Sequence, residues 1–471
     1  MSIKKFLFLT GPCGRDIWMH KITKEMSKKE KIDAYYIAIQ DQNIKTLQEL
    51  GVARDHIFKI NYETQTEIRK PNIDYLEKSE KKYNINMWDL WNISAPRKKS
   101  RAKLPKRQIL SWMEYSLRNF QKVVDKIKPD YYVVYGPASF STAIFHRVAQ
   151  ANNVKIIDMQ SSNIPYRFAV SDDLKYEWPM LQKEYNRLKK RTLTKKEKEQ
   201  AEKFIKDYRN RPTKPDCAGD YSEPISKTIK RAQSYAFRLV KARKFPDYDL
   251  TICPLIIWPL RGKFFKTLNL FKEPRKKEKY VFFPLHFQPE ASSSIYAKWF
   301  MDQATIVENI AKSVPLGYKL YVKEHQYGFG SKPYDFYKRL KKLKNVRLIT
   351  PYANTFELIK NCSLVVTINS TVGWEASLFQ KPVISFANIY YTVSDNINKL
   401  KQIEDLQKLI SENIGTKTDY NELIRFTAAL FKATYPGLTR LPSDCNEFSL
   451  EPENITNLAK GVWKYIKDKK N

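Results

Sequence analysis

The sequence predicts a protein of two doubly wound α/β domains. Short apolar runs that suit β-strands alternate with helical patterns in the first half of the chain, and the same alternation begins again near residue 280. Strands that alternate with helices form parallel sheets, because a parallel connection needs a crossover segment, usually a helix. The chain of 471 residues is too long for one ordinary core, and it suits two domains of roughly 200 residues each.

Five strands are predicted in the first half: Lys5–Leu9, Ala34–Ile39, Ile57–Ile60, Tyr131–Tyr135 and Val154–Met159. The stretch Ser139–Asn152 between the last two has an apolar face and predicts a helix. The polar, Trp-containing and basic segment at about 62–107 breaks the alternation, and we interpret it as an insertion before a helix over Gln108–Ile127. A long helical, charged segment follows Met159, and Thr194 with Glu197 indicates a capping box for a helix that extends to about Asn210.

The second half predicts another five strands: Tyr280–Leu285, Lys319–Lys323, Val346–Ile349, Leu364–Ile368 and Val383–Phe386. The predicted helices are Asp302–Ser313, Asn354–Asn361, Val372–Phe379, Asp395–Ser411, Asn421–Ala433 and Pro452–Lys467. The predicted division of the chain is an N-terminal domain over 1–215, a basic and apolar connection over 216–278, a C-terminal domain over 279–450 and a terminal helix over 451–471 that packs back on the N-terminal domain.

The net charge and the cysteines limit the class of protein. A formal charge of +34 suits nucleic acid, an anionic membrane surface or a polyanionic substrate, although a solvated lysine-rich surface explains any single basic cluster equally well. The basic clusters are Arg97–Arg107, Lys183–Arg211, Lys227–Lys244 and Arg275–Lys279. The five cysteines are scattered and form no CxxC pair, which argues against a disulfide framework or a structural zinc site and favours a reducing, cytoplasmic location.

The apolar runs are too short for a secretory signal or a membrane span. Phe6–Leu9 falls short of the roughly 7–15 apolar residues of a signal peptide. Ile252–Leu260 contains two prolines and has about half the length of a span.

The most informative candidate for a binding site is the segment from Asn369 to Glu375, where a buried strand ends and a helix begins. Ser370 and Thr371 offer hydroxyls beside the N–H groups of the helix start, and Gly373 follows. Together with the helix dipole these groups favour an anion such as a diphosphate or a phosphodiester. Glu375 is placed to accept hydrogen bonds from ribose hydroxyls. An ordinary helix N-cap explains the same hydroxyls.

Two further strands of the same half end in polar residues. His325 follows Lys323 and Glu324, and its imidazole can donate to a phosphate oxygen or act as an acid near neutral pH. His286, Gln288 and Glu290 follow another strand. We predict that His286, Gln288, Lys323 and Glu324 contact the donor, and that Glu290 and His325 are catalytic. Each of these three polar clusters, taken alone, is explained equally well by a surface turn that follows a strand. Three such clusters at strand ends of one doubly wound domain favour a shared ligand site at the carboxyl ends of the strands.

The first half gives weaker candidates at the same kind of position. Gly11, Arg15 and Asp16 lie in or just after a glycine turn that matches neither a dinucleotide fingerprint nor a P-loop. Gln160 and Ser161 end another strand. We predict that these residues contact an acceptor or form tight turns, and Asp16 is the candidate catalytic base.

The second half resembles the capsule polysaccharide biosynthesis family, which includes Kdo-transferring enzymes. The resemblance is carried, in order along the chain, by Leu285–Ser293, Tyr318–His325, Asn369–Ala376 and Lys381–Ile384. It covers about Lys279–Asn388 and implies a GT-B fold of two Rossmann-like domains facing a cleft. It also implies a metal-independent glycosyl transfer without a cofactor and a CMP-activated 2-keto sugar acid as the donor, although Gln326 stands where the family commonly has proline.

The resemblance also implies roles for the candidate residues. His325, Ser370 and Thr371 would hold the donor phosphate. The sequence near them contains no DxD motif, which would indicate a metal-binding site. The expected partners are a nucleotide-sugar donor, a glycan or lipid-linked glycan acceptor and the anionic inner face of the cytoplasmic membrane, with no specific nucleic acid. The alternatives are a nucleotide-sugar epimerase, a non-catalytic polysaccharide export protein and a basic nucleic-acid-binding protein.

Overall fold

The computed structural model describes residues 3–11, 14–61, 70–94, 105–136, 139–210, 257–288, 290–439 and 447–469. Within these ranges the chain forms two mainly parallel β-sheets with helices on both faces of each sheet. The predicted α/β class with two doubly wound domains is therefore confirmed.

The first sheet has seven strands in the order β13-β6-β5-β4-β1-β2-β3. Their bounds are β1 Lys4–Leu9, β2 Ile32–Ala38, β3 Ile57–Lys59, β4 Tyr131–Val134, β5 Lys155–Ser161, β6 Arg167–Ser171 and β13 Tyr435–Pro436. Strands β1 to β5 are parallel, whereas β6 and β13 are antiparallel to their neighbours. The strand order reverses between β1 and β4.

The second sheet has six parallel strands in the order β12-β11-β10-β7-β8-β9. Their bounds are β7 Tyr280–Pro284, β8 Lys319–Lys323, β9 Val346–Ile349, β10 Leu364–Thr367, β11 Val383–Ser385 and β12 Ile397–Lys399. The strand order reverses between β7 and β10, so ligands are expected beyond the carboxyl ends of these two strands.

The α-helices of the first part of the chain are α1 Arg15–Ser27, α2 Asp41–Glu49, α3 Ile73–Tyr83, α4 Met87–Ser94, α5 Lys106–Ile127, α6 Phe140–Ala151, α7 Pro179–Lys189 and α8 Lys195–Asn210. Those of the second part are α9 Trp258–Thr267, α10 Ala291–Ser294, α11 Gln303–Ser313, α12 Tyr334–Lys341, α13 Thr355–Asn361, α14 Thr371–Leu378, α15 Leu406–Asn413, α16 Tyr420–Ala433 and α17 Pro452–Asp468. None of the helices in the described part of the chain is long and apolar enough to cross a membrane.

Alternate residues of each central strand enter different cores, as a sheet covered on both faces requires. Phe6 and Phe8 of β1 share one core with residues of α1 and α17, whereas Leu7 and Leu9 share another with α5 and α6. In β7, Phe282 belongs to the same cluster as Phe6, so one apolar core continues from the first domain into the second.

Two predicted elements differ from the structure. The segment predicted as a helix over Asp395–Ser411 contains strand β12, a 3₁₀ turn and only then α15. The long helical segment predicted after Met159 begins with strand β6, and the helices α7 and α8 follow. Strand β12 lies at the edge of its sheet and buries only Ile397, whereas β6 lies next to the edge strand β13, which was not predicted either.

Parts of the predicted insertion and connection form ordered structure on the domains. Residues 70–94 of the insertion form α3 and α4, whose Leu76, Tyr83 and Leu90 are buried against the first domain. In the connection, Phe265 of α9 is buried in the core of the second domain. The end of the chain returns to the first domain, where β13 pairs with β6 and Trp463 of α17 donates a hydrogen bond to Met26 O.

Candidate functional site

The three strand ends that the sequence predicted as a site lie at the same level of the second sheet. Pro284 of β7 is in register with Lys323 of β8, and Val365 of β10 is in register with Phe282 of β7. The next residues of all three strands therefore leave one edge together. Because neighbouring strands are about 4.8 Å apart, β8 and β10 are separated by about 10 Å there.

The start of α14 is the first part of this edge. Ser370 is the N-cap, and its Oγ accepts a hydrogen bond of 3.3 Å from the N–H of Val372. Thr371 Oγ1 lies 3.5 Å from a carboxylate oxygen of Glu375. Both Ser370 and Thr371 are partly exposed, so their hydroxyls and the helix start are accessible to an anion.

Asn369 joins this helix start to the loop that follows β7. Its side-chain Nδ2 donates a hydrogen bond of 2.7 Å to Ser292 O, while its Oδ1 is buried without a partner among the described residues. Ser292 lies in α10, whose N-cap is Glu290. The loops after β7 and β10 are thus in direct contact, as the predicted shared site requires.

The loop after β8 is held by the buried carboxylate of Glu324. It accepts hydrogen bonds from Lys332 Nζ at 2.9 Å, from the Tyr337 hydroxyl at 2.5 Å and from the His325 N–H at 2.7 Å. Glu324 is fully buried. This carboxylate is saturated by protein donors, and its geometry suits a structural role rather than the predicted contact with a donor. The adjacent His325 is exposed, and Lys323, at the end of β8, is buried.

A glycine lets α9 pack closely on the same loop. Gly330 has φ +86, and a Cβ at this position would lie 2.1 Å from Trp258 O. Arg261 of α9 also donates to the carbonyl oxygens of Gly330 and Ser331. The connection segment therefore supports the loop that carries His325.

His286 is buried next to these groups as a neutral imidazole. Burial, together with the smaller effect of the charges of His325 and Lys332, lowers its pKa to about 3. Its Nε2 has no hydrogen-bond partner among the described residues. An uncharged His286 can donate or accept one hydrogen bond at pH 7, but it adds no positive charge to the site.

Gln288 and Glu290 follow His286 in the loop after β7, which leads to residues that contact the first domain. Gln288 Nε2 donates to Met301 O at 2.9 Å, which occupies its amide. Glu290 is exposed and accepts a hydrogen bond from Ser292 Oγ at 3.2 Å. Beyond them Lys298 forms an ion pair of 2.5 Å with Asp89 of the first domain.

Gly373 and Glu375 are buried in α14. A Cβ on Gly373 would lie 2.5 Å from the hydroxyl oxygen of Tyr391, so a close side-chain contact accounts for this glycine. The charge of Glu375 raises the pKa of Tyr391, after the larger effect of burial. Both residues therefore face protein groups in this structure.

The first domain holds Asp16 at the start of α1. One carboxylate oxygen accepts from the Ile17 N–H at 2.9 Å, and the other accepts from Asn43 Nδ2 at 2.9 Å. The same Asn43 amide donates to Gly11 O. Asp16 and Gly11 therefore lie together at the carboxyl end of β1, where the strand order reverses.

A second carboxylate at this edge, Asp158 of β5, was not predicted. It accepts from the Gly136 N–H at 2.7 Å and from Gln160 Nε2 at 2.8 Å. Burial raises its pKa to about 6, although these two donors and the charge of Arg15 act in the opposite direction. The single aspartate between the apolar residues Ile157 and Met159 was the available signal.

Gln160, one of the predicted acceptor residues on β5, is hydrogen-bonded to other protein groups through both atoms of its amide. Gln160 is buried, donates to Asp158 and accepts from Trp178 Nε1 at 2.9 Å. The backbone oxygen of Ser161 accepts from the Tyr176 hydroxyl. The guanidinium of Arg15 lies 5.9 Å from the ring centre of Tyr135, at the end of β4.

Aromatic side chains join the two domains beside both edges. Trp178, which follows β6, stacks on Tyr390, which follows β11, at a centroid distance of 4.1 Å and an angle of 8°. Tyr176 stacks on Tyr296 at 5.4 Å. Asn163 Nδ2 also donates to the Tyr390 hydroxyl. The contact between the domains therefore borders the strand ends that carry the candidate residues.

Two doubly wound domains in contact beside their carboxyl strand ends define a GT-B type of architecture. Residues 226–395 match the family of capsule polysaccharide biosynthesis proteins. The resemblance to that family predicted from the four motifs is therefore confirmed. No curated protein matches the chain.

The solved structures similar to this chain include two glycosyltransferases and an epimerase. KpsC β-Kdo 2,7-transferase of Thermosulfurimonas dismutans is 14% identical, with 75% of this chain and 89% of the other covered and a TM-score of 0.41. KpsC β-Kdo 2,4-transferase of the same organism is 15% identical, with coverages of 70% and 87% and a TM-score of 0.41. UDP-GlcNAc 2-epimerase of Neisseria meningitidis, bound to UDP-GlcNAc, is 13% identical, with coverages of 98% and 100% and a TM-score of 0.31.

Proposed function

We propose that this protein is a glycosyltransferase that moves a sugar from a nucleotide-activated donor to a capsular or other surface polysaccharide, or to its lipid-linked precursor. The observation that carries the proposal is the accessible start of α14 at the point where the order of the second sheet reverses, within a segment that matches the capsule polysaccharide biosynthesis family. A CMP-linked 2-keto sugar acid is the proposed donor, as the family resemblance implies.

The departing nucleotide phosphate is the group that the second domain is suited to stabilise. The N–H groups and dipole of α14 favour a negative charge, and the hydroxyls of Ser370 and Thr371 can donate to phosphate oxygens. The exposed His325, in the neighbouring loop, can add a further hydrogen bond. Donors fixed before the reaction stabilise charge that develops in the transition state, and no metal ion is required for this role.

The acceptor hydroxyl needs a base, and Asp16 is our candidate for it. Its position at the carboxyl end of β1 is the position at which a doubly wound domain binds ligands. Asn43 orients its carboxylate. The variant Asp16→Asn keeps the shape of the side chain and removes its basicity, and its amide oxygen still accepts from one of the two N–H donors that the carboxylate contacts. We expect kcat to fall by about 10²–10⁴-fold while nucleotide affinity stays unchanged. Glu290→Gln is measured in parallel, because Glu290 is the other candidate catalytic carboxylate. A fall of kcat in Glu290→Gln but not in Asp16→Asn would assign the base to Glu290 instead.

Nucleotide binding and product analysis test the proposal. Purified protein is screened by thermal shift with CMP, UDP and GDP, since a ligand that binds the folded form raises the melting temperature. The sugar conjugates of the nucleotide that binds are then incubated with and without a polysaccharide acceptor. Release of nucleotide with transfer of the sugar supports the proposal. Epimerised donor in the absence of acceptor would instead identify an epimerase, and no binding of any nucleotide would contradict both enzymes.

We also propose that α9 contacts an anionic membrane surface, where lipid-linked acceptors are found. Leu260 and Phe264, one helical turn apart, are 61% and 53% exposed, and Lys263 and Lys266 lie beside them. Apolar side chains flanked by lysines suit the interface of an anionic bilayer. Flotation with phosphatidylglycerol vesicles should be lost in Leu260→Glu with Phe264→Glu and retained in Leu316→Glu, which changes another fully exposed leucine. Equal flotation of both variants would contradict this role of α9.

A further inference from the structure

Tyr391 is packed against the proposed phosphate site. Its hydroxyl donates a hydrogen bond of 2.6 Å to Ser370 O, at the N-cap of α14. Its ring fills the space that a side chain at residue 373 would occupy, because a Cβ on Gly373 would lie 2.5 Å from the Tyr391 hydroxyl oxygen and 2.7 Å from Cζ. Any shift of the helix start therefore changes the position of this tyrosine.

The preceding residue, Tyr390, is packed against the first domain. Its ring stacks on Trp178, and its hydroxyl accepts a hydrogen bond from Asn163. Both stacked rings are almost completely buried. Tyr390 and Tyr391 are consecutive in a short 3₁₀ turn, in which Thr392 caps the Ile389 N–H. The two rings are also in edge-to-face contact at a centroid distance of 5.3 Å, so a displacement of one ring acts on the other.

The contacts continue from Trp178 to the carboxyl edge of the first sheet. Trp178 Nε1 donates to Gln160, Gln160 donates to Asp158, and the Gly136 N–H donates to the other oxygen of Asp158. Gly136, two residues beyond the end of β4, has φ +62 and lies next to the point where the order of the first sheet reverses. An unbroken series of contacts thus connects the ligand-binding edges of the two sheets.

We propose that Tyr390 and Tyr391 are positioning residues that couple occupancy of the phosphate site at α14 to the alignment of the first domain through Trp178 and Gln160. The proposal rests on the proposed function, because it requires an anion at the start of α14. A ligand that draws Ser370 towards itself displaces Tyr391, and Tyr390 transmits the change to the stack on Trp178. Such coupling is reciprocal, so the alignment of the first domain also affects nucleotide affinity.

A double-mutant cycle on nucleotide affinity tests this coupling. Tyr391→Phe removes the hydrogen bond to Ser370, and Trp178→Phe keeps a stacking ring but removes the hydrogen bond to Gln160. Calorimetric titration uses whichever of CMP, UDP or GDP binds the wild type. We expect Tyr391→Phe to weaken binding about fivefold and Trp178→Phe about threefold, as the loss of one hydrogen bond predicts. Combined, they should weaken it by clearly less than the product of the two factors, because coupled residues are not additive.

A matched control is Tyr280→Phe. Tyr280 is also buried, stacks on another tyrosine and donates from its hydroxyl to a backbone oxygen, Leu358 O, but it lies at the opposite, amino end of β7. Its loss should leave nucleotide affinity unchanged. Unchanged affinity in Trp178→Phe, or factors that multiply in the double variant, would overturn the coupling, even if all variants lose thermal stability.

The two proposals fail in different ways. If the wild type binds none of the three nucleotides, the proposed function fails and the coupling fails with it. Suppose instead that the wild type binds a nucleotide and transfers sugar. If Trp178→Phe then changes the radius of gyration measured by solution scattering but leaves nucleotide affinity unchanged, the proposed function stands. The aromatic contact is then only structural, and the coupling is refuted.

Discussion

The carboxyl edges of the two sheets differ in how their buried polar groups are satisfied. At the first edge, Asp158 accepts hydrogen bonds from the Gly136 N–H and from Gln160 Nε2, and Gln160 Oε1 accepts one from Trp178 Nε1. The side-chain amide of Gln160 and the carboxylate of Asp158 are therefore satisfied by protein groups. At the second edge, His286 Nε2 and Asn369 Oδ1 are buried without a partner in the described residues. Since an unpaired buried polar atom is costly, it marks a place where a ligand or water is expected. This difference supports the second edge as the ligand site that we propose, and the first edge as the one that is aligned with it.

The largest expected effect is on turnover, and it comes from changing the second edge. Replacing Ser370 and Thr371 together by alanine removes two hydroxyl donors at the start of α14. We expect turnover to fall about thousandfold, equivalent to about 4 kcal/mol of transition-state stabilisation, while the protein remains folded. Steady-state kinetics with the active donor measure the loss, and circular dichroism measures folding.

The control for this variant is Asn354→Ala. Asn354 is the N-cap of α13 in the same domain and accepts from two backbone N–H groups. It should lose about 1 kcal/mol of stability without loss of turnover. Equal activity of the Ser370/Thr371 variant and this control would show that α14 has an ordinary cap and no catalytic function.

The next effect concerns stability rather than turnover. Glu324→Gln leaves the buried ammonium of Lys332 without a counter-charge, so we expect the free energy of unfolding to fall by about 3 kcal/mol. Denaturant unfolding measures this loss. Glu324→Gln combined with Lys332→Met should recover much of it, because both charges are then absent. A stable single variant with a large rise in KM would mean that Glu324 contacts the donor after all.

The pH dependence of stability sharpens the description of the first edge. The pKa of Asp158 is raised from 3.8 to about 6 in the folded protein. The folded state therefore holds this proton more tightly than the unfolded state does, and the stabilisation present below pH 4 is lost as the pH rises through about 6. The change corresponds to about 2–3 kcal/mol.

Asp158→Asn removes this titration. The difference in unfolding free energy between wild type and variant should change between pH 4 and pH 7, because the contributions of other groups cancel. The charged group described near Asp158 is Arg15, which stays protonated throughout this range. Parallel pH profiles for the two proteins would contradict the raised pKa.

The smallest effect concerns the packing of α14. Gly373→Ala places a methyl group within 2.5 Å of the Tyr391 hydroxyl oxygen. We expect a loss of about 1–2 kcal/mol from overpacking. Adding Tyr391→Phe should recover only part of it, because the ring carbon Cζ would still be 2.7 Å away. Thermal unfolding of the single and double variants measures both values, and a neutral Gly373→Ala would contradict the close packing.

The sequence predicts the central strands of both sheets because these strands are almost entirely apolar. β7 and β10, for example, are buried along their whole length. It does not predict β12, because this strand has three residues and only Ile397 is buried. Hydrophobic patterns indicate central strands better than short strands at the edge of a sheet.

The candidate site is predictable in position but not in detail. Strand ends and a helix start identify His325 and Ser370, because parallel strands bring their carboxyl ends together. The pattern cannot tell that Glu324 is saturated by Lys332 and Tyr337, since those donors come from the following turn and helix. It also cannot pair Trp178 with Tyr390, because 212 residues separate these positions and neither lies in a periodic pattern.

The return of the chain to the first sheet has a consequence for biosynthesis. Strand β13 pairs with β6, and α17 covers α1 through Trp463, so the first domain is completed by residues that follow the second domain in the sequence. The second domain lies between these parts of the sequence. It is therefore synthesised in full before the first domain can complete its fold. A chain without β13 and α17 would expose the apolar surface of α1 that α17 covers.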